Sequence, residues 1–204
     1  MKKILITLLM CLPIAAIAQN DWEVPEEMTP ADGASANPNE KYLAGAVPVI
    51  DGKVTFEKVI AAPGKSAAEI YNLLFDYTSR MTKGGNQFEQ SRIVMQDEDK
   101  HKFAAEFLEW LVFSNNMLGL DRTRLHYLMI VECQDGQAIV NISRIRYLYD
   151  EFRNPQRYTA EEWITDEVCL NKKKTKLLPK NGKFRRKTID RMNYIFSKFE
   201  ATVK

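Results

Sequence analysis

Between residues 90 and 147 the chain leaves room for little besides antiparallel strands. Four runs of strand composition, 90–96, 102–113, 125–133 and 138–147, are separated by short connections. A turn falls over 97–101, and Asp135-Gly136 is a two-residue hairpin signal. A parallel crossover needs a dozen or more residues, so these neighbours pair antiparallel in a meander. Ahead of them, residues 53–60 (KVTFEKVI) alternate as a further strand, entered through Asp51-Gly52 and ended by Pro63-Gly64.

Helices flank the meander. Ser66 followed by Glu69 forms a capping box, after which Ala67, Ile70, Leu73, Leu74, Tyr77 and Met81 recur at helical spacing up to Gly84-Gly85. Thr159 and Glu162 form a second box opening a short helix over 159–169. A last helix over about 184–203 carries an apolar stripe of Ile189, Met192, Ile195, Phe196, Phe199 and Val203. The order β-α-β-β-β-β-α-α predicts an α+β domain: a single antiparallel sheet of about five strands backed by helices on one face. The organisation expected is a signal peptide at 1–18, a flexible acidic leader at 19–40, an α+β core at 41–150, and a basic helical extension at 151–204 packing on that core.

The first 18 residues give an address. Lys2 and Lys3 precede a mainly apolar run over 4–17, and Ala16-Ile17-Ala18 supplies small residues for cleavage before Gln19. A bilayer-spanning helix needs roughly 20 apolar residues, so the run is a cleavable export signal and leaves no transmembrane span. Cleavage removes Lys2 and Lys3 and leaves 27 basic against 27 acidic side chains. The expected location is the periplasm or the outer envelope. Cys133 and Cys169 remain, and are read as buried free thiols.

Catalytic motifs are scarce. Pro63-Gly64-Lys65-Ser66 ends as a phosphate-binding loop does, yet Val59 stands where the loop's first glycine belongs, and Ser66 is accounted for as a helix cap. The histidines are His101, in a turn, and His126, on a strand seven residues from Cys133 and thus on the opposite face. Zinc needs three or four convergent ligands, so no metal or cofactor site is expected. Glu106 and Glu109 have opposite strand parity and should not share a site. No nucleophile lies in a recognisable elbow. The chain is therefore not expected to be an enzyme, with a hydrolase the weakest of the readings considered.

Tyr42-Leu43-Ala44-Gly45-Ala46-Val47-Pro48, then Asp51-Gly52-Lys53-Val54-Thr55-Phe56, then Pro63-Gly64-Lys65-Ser66 before a helix, resembles an uncharacterised family of secreted proteins from Bacteroides-like bacteria. That family is a domain of unknown function with a TATA-binding-protein-like fold. The resemblance covers roughly 42–149. It implies an envelope address and a curved sheet backed by helices, and it brings no catalytic residue. Fold does not carry function with it. An exported, neutral chain has little access to DNA, so no nucleic-acid partner is expected.

Two features point to binding. Residues 171–204 hold 12 basic and 2 acidic side chains. Within them Lys183, Arg185, Arg186 and Lys187 crowd the start of a helix, where positive charge opposes the dipole. Either the tail lies on an acidic surface of its own domain, or it meets an anionic lipid surface or an envelope protein. The strand over 102–113 is apolar on both faces, with Phe103, Phe107, Leu111 and Phe113 on one and Leu108, Trp110 and Val112 on the other. Helices cover one face only; an uncovered apolar face marks an interaction surface. Trp110, Arg144, Arg146, Tyr147 and Tyr149 join the four basic residues as the candidate interaction surface. The function expected is a non-catalytic binding module of the envelope. The alternative is a carrier holding a lipid or small apolar ligand between the sheet and the last helix.

Overall fold

The computed structural model describes Asn20, Trp22 and residues 38–116 and 119–204; the proposed signal peptide lies outside them. A two-stranded hairpin, β1 (Val49–Ile50) and β2 (Lys53–Val54), turns through Asp51 and Gly52 at φ 49° and 72°. Positive φ at both central residues is what the tightest hairpin turn requires, and an Asp-Gly pair tolerates it. The main sheet has six strands: β3 (Phe56–Ala61), β4 (Arg92–Asp97), β5 (Lys102–Asn116), β6 (Gly119–Gln134), β7 (Gln137–Tyr149) and β8 (Gln156–Thr159). The order is β3-β7-β6-β5-β4, all antiparallel, and β8 shares the outer edge of β7 with β3. β3 pairs with β7 over residues 137–142 and β8 over 146–149.

The sheet is thus one strand larger than expected. β8 is four residues long and follows Pro155, too short to register as an alternating run. It places residues 156–159 of the expected extension in the sheet. The helix expected over 159–169 is two single turns, α2 (Ala160–Trp163) and α3 (Asp166–Cys169). α1 (Ala67–Met81) and α4 (Gly182–Thr202) are long, and both capping boxes form as expected, at Ser66 and Thr159.

α1 and α4 lie on one face of the sheet. The odd positions of β5 and β6 (Phe103, Phe107, Leu111, Leu125, Tyr127, Met129 and Val131) point at them and are wholly buried. They meet Ile70, Tyr71 and Leu74 of α1 and Ile189, Met192, Ile195 and Phe199 of α4 in a single core. Inside that core sits a charged pair, Glu109 of β5 with Arg191 of α4, bound through two 2.7 Å hydrogen bonds. The carboxylate also accepts from Gln87. The guanidinium lies 5.5 Å from the ring centre of Trp22 and 5.6 Å from that of Tyr194. Its pKa is raised: burial alone would lower it, and Glu109 outweighs burial. Buried side chains of the sheet and α4 thus pack together where a carried ligand was expected.

Of the expected leader at 19–40, Asn20 and Trp22 pack on the domain, and residues 19, 21 and 23–37 lie outside the described residues. The Asn20 amide both donates to the Val112 carbonyl and accepts from its N–H, each at 2.8 Å. β4 pairs with β5 as far as Glu106 and residues 86–88 bond the same edge at 108–110, so Asn20 caps the next stretch of it at Val112. Trp22 is 6% exposed against α4.

Candidate functional site

Among the described residues, no helix covers the second face of the sheet. Register places its side chains in rows, because directly opposed residues share a face. One row runs Thr159, Arg146, His126, Leu108; the next, two residues along, runs Arg157, Leu148, Arg124, Trp110. Val112 and Arg122 follow. Around Leu148 and Leu108 the arginines 124, 146 and 157 and His126 line a groove of about 350 Å³. The floor continues past Trp110 and Leu148 into a wider trough of about 630 Å³ beneath the β7–β8 loop. Phe152 of that loop is 80% exposed.

The polar groups of this face are partly committed. His126 Nε2 lies 2.7 Å from Glu106 Oε1, and its Nδ1 lies 3.0 Å from Arg146 Nη2. A guanidinium can only donate, so Nδ1 accepts and Nε2 carries the proton given to Glu106. Arg124 Nε is 2.6 Å from Glu151 in an ion pair too bent for a hydrogen bond. The Arg122 guanidinium lies 3.6 Å from the centre of the Trp110 ring, which also neighbours Phe88 at 5.1 Å and the Arg124 guanidinium at 5.4 Å. Arg144, Arg146 and Arg157 are exposed. Among the described residues, Arg122, Arg144, Arg146 and Arg157 have no carboxylate within ion-pair distance.

Of the residues expected on an interaction surface, Trp110, Arg144 and Arg146 lie on this face. Tyr147 and Tyr149 do not. In β7 both Arg144 and Ile145 stand opposite Tyr127, and Arg144 adopts φ 54°. This bulge advances the alternation by one residue. Ile142, Ile145 and Tyr147 consequently all face the helices. The Tyr147 hydroxyl is buried on Thr188 at 2.8 Å, and burial pushes its pKa well up. Tyr149 is half-buried against Phe184 and bonds Asp121 at 2.9 Å.

The basic cluster at the start of α4 is largely internal, in line with self-complementarity of the tail. Lys183 pairs with Asp121 at 2.6 Å and with the Tyr149 hydroxyl at 2.9 Å. Burial would lower its pKa, but these two partners outweigh burial and raise it. Arg185 is 0% exposed. It donates to the carbonyls of Tyr42, Leu43 and Ile164 and to Asp166. It ties the start of α4 to the opening segment and to α2. These contacts offset the unfavourable dipole, and they withdraw Lys183 and Arg185 from any surface role. Arg186 and Lys187 are half-buried.

Sequence reasoning missed Arg122, Arg124 and Arg157. Each is unremarkable alone. Their convergence needs the β5–β6–β7–β8 register, and β8 itself was not foreseen. Glu109–Arg191 was also missed. An acidic residue in an otherwise apolar row of β5 was the one signal available.

A family profile described as a domain of unknown function (DUF4468) with TBP-like fold matches residues 56–148. Among solved structures, a DUF4468 family protein from Bacteroides ovatus is 41% identical with TM-score 0.77, over 82% of this chain and 95% of that one. A TBP-like protein from Parabacteroides distasonis is 19% identical with TM-score 0.63, over 77% and 96%. No curated protein matches the chain.

Proposed function

The chain belongs to the DUF4468 family of TBP-like fold, and from that premise we propose that it is a non-catalytic binding module of the cell envelope, engaging its ligand on the open face of the sheet. The observation that carries this reading is the composition of that face. Trp110, Leu108 and Leu148 lie among arginines with few counter-charges, on strands held rigid by a packed core behind them. Aromatic and arginine side chains together are the mark of interface cores.

Catalysis is the less supported reading. Glu106 beside His126 resembles two thirds of a nucleophilic triad. The nitrogen that would take a proton from a nucleophile is instead engaged by Arg146. An envelope address rests on the export signal at 1–18; among the described residues no helix is long and apolar enough to cross a membrane.

Site-specific photo-crosslinking in the native host tests the proposal. A photoreactive residue at Leu148 or Leu108 should give discrete adducts, and one at Leu73, exposed on α1, should not. Equal yields from both faces, or none from the sheet face, would refute it. Fractionation of the same cells tests the address, which fails if the protein stays in the cytoplasm.

A further inference from the structure

The groove around Leu148 holds more positive charge than a free surface needs. Arg157 and Arg124 flank Leu148 on its two neighbouring strands, each about 5 Å away in backbone spacing, and Arg146 stands two residues along on the same face. Three guanidiniums therefore converge on one leucine. Only Arg124 has a carboxylate partner. Arg146 spends one nitrogen on His126, itself neutral at Nδ1, and Arg157 has no partner among the described residues. Like charges gathered this closely repel, and an anion between them removes the repulsion.

We infer that this groove is a binding site for a phosphate monoester carrying an apolar stem. The inference rests on the open-face reading above and names its ligand. Arg157, and Arg146 one imidazole removed from Glu106, leave positive charge in the groove that the nearly two negative charges of a phosphate monoester at neutral pH meet better than the single charge of a carboxylate. Their planar forks suit phosphate oxygens bidentately. The stem has a path: Leu148 and Leu108 form the apolar floor, and the trough past Trp110 leads on beneath Phe152. A volume of about 350 Å³ for the head and first carbons is of small-ligand size. Arg122, stacked on Trp110, covers the ring until a stem displaces it.

Titration calorimetry on the mature chain at pH 7.5 tests the inference, with octyl phosphate below its micelle concentration as the probe. Octyl phosphate should bind, and octyl glucoside, which has the same stem without charge, should not. R146Q and R157Q should each weaken binding by about 10- to 100-fold, the worth of a hydrogen bond to a charged group. R80Q, an equal loss of charge on exposed α1, should leave it unchanged. No binding of octyl phosphate, equal binding of octyl glucoside or octanoate, or an equal effect of R80Q would overturn the inference. So would binding to phosphatidylglycerol vesicles without binding of the monomer, which would make the face a membrane contact. Failure here together with discrete adducts at Leu148 in cells sinks the ligand assignment alone; failure of both experiments sinks the open-face reading with it.

Discussion

Arg191→Met is the sharpest perturbation of this fold, because Arg191 and Glu109 are 3% and 0% exposed and face each other across the layer between α4 and the sheet. In the native chain the pair is bidentate at 2.7 Å, and the two partners neutralise one another. Methionine fills most of the arginine volume but leaves a buried carboxylate without its cation, with the neutral Gln87 amide and Tyr127 hydroxyl beside it. Removing one partner of such a pair costs about 3–5 kcal/mol. For a domain of this size that lowers the melting temperature by about 6–20 °C, at roughly 2–4 °C per kcal/mol. Glu109→Leu alone should cost a similar amount by stranding the guanidinium. The double variant E109L/R191M removes both charges and should recover most of the loss, ending within about 1–3 kcal/mol of the native chain, the residue being the orphaned Gln87 amide. Urea titration followed by far-UV circular dichroism measures all three. Single losses below about 1 kcal/mol would mean that water reaches the pair as it reaches a surface ion pair. Additive losses in the double variant would show that the two residues do not act on each other.

Three further outcomes follow from local geometry. Burial pushes the Cys133 thiol up to about 12 and the Cys169 thiol up to about 11. Neither should react with a thiol reagent at pH 8 until the chain is unfolded, and prompt labelling of the native protein would contradict their burial. Asp166 has its pKa lowered: burial raises it, but the Gly45 N–H and Arg185 outweigh burial. A depressed folded value adds stability above the ordinary aspartate pKa and loses it as pH falls through the folded value, so D166N should flatten the acid limb of a stability–pH curve; an unchanged limb refutes the assignment. Asn20→Ala orphans the N–H and carbonyl of Val112. It should cost about 1–3 kcal/mol in urea titration, and a neutral result would mean that Asn20 does not cap this edge.

How far the sequence could be read depended on whether a signal was local. Ser66 and Glu69 cap α1 through contacts three residues apart, and Asp51-Gly52 turns through its own backbone; both were legible. The inward row of β5 was legible because alternation runs unbroken from Phe103 to Leu111. Parity failed in β7, where one residue in the left-handed region at Arg144 reversed which side the tyrosines face. Nothing local in Ser143-Arg144-Ile145 announces a bulge; it follows from pairing with Tyr127 on another strand. The basic run 183–187 misled for a related reason. Its partners Asp121 and Asp166 lie 62 and 19 residues away, and only the fold brings them within reach.

The same bulge bears on why the open face stays available. β3 leaves the edge of β7 at Ile142 and β8 joins it at Arg146, so residues 143–145 fall in the gap between two edge strands. Arg144 and Arg146 emerge there exposed, one from the bulge and one just beyond it. An apolar sheet face with free edges is a standing invitation to a second copy of the chain. Here a second copy would bring Arg122, Arg124, Arg146 and Arg157 against the same four arginines, a repulsion that grows as water leaves. The arginines thus act twice. On the binding reading proposed above, they would oppose self-association across the face and leave its apolar floor to a partner whose charge has the opposite sign.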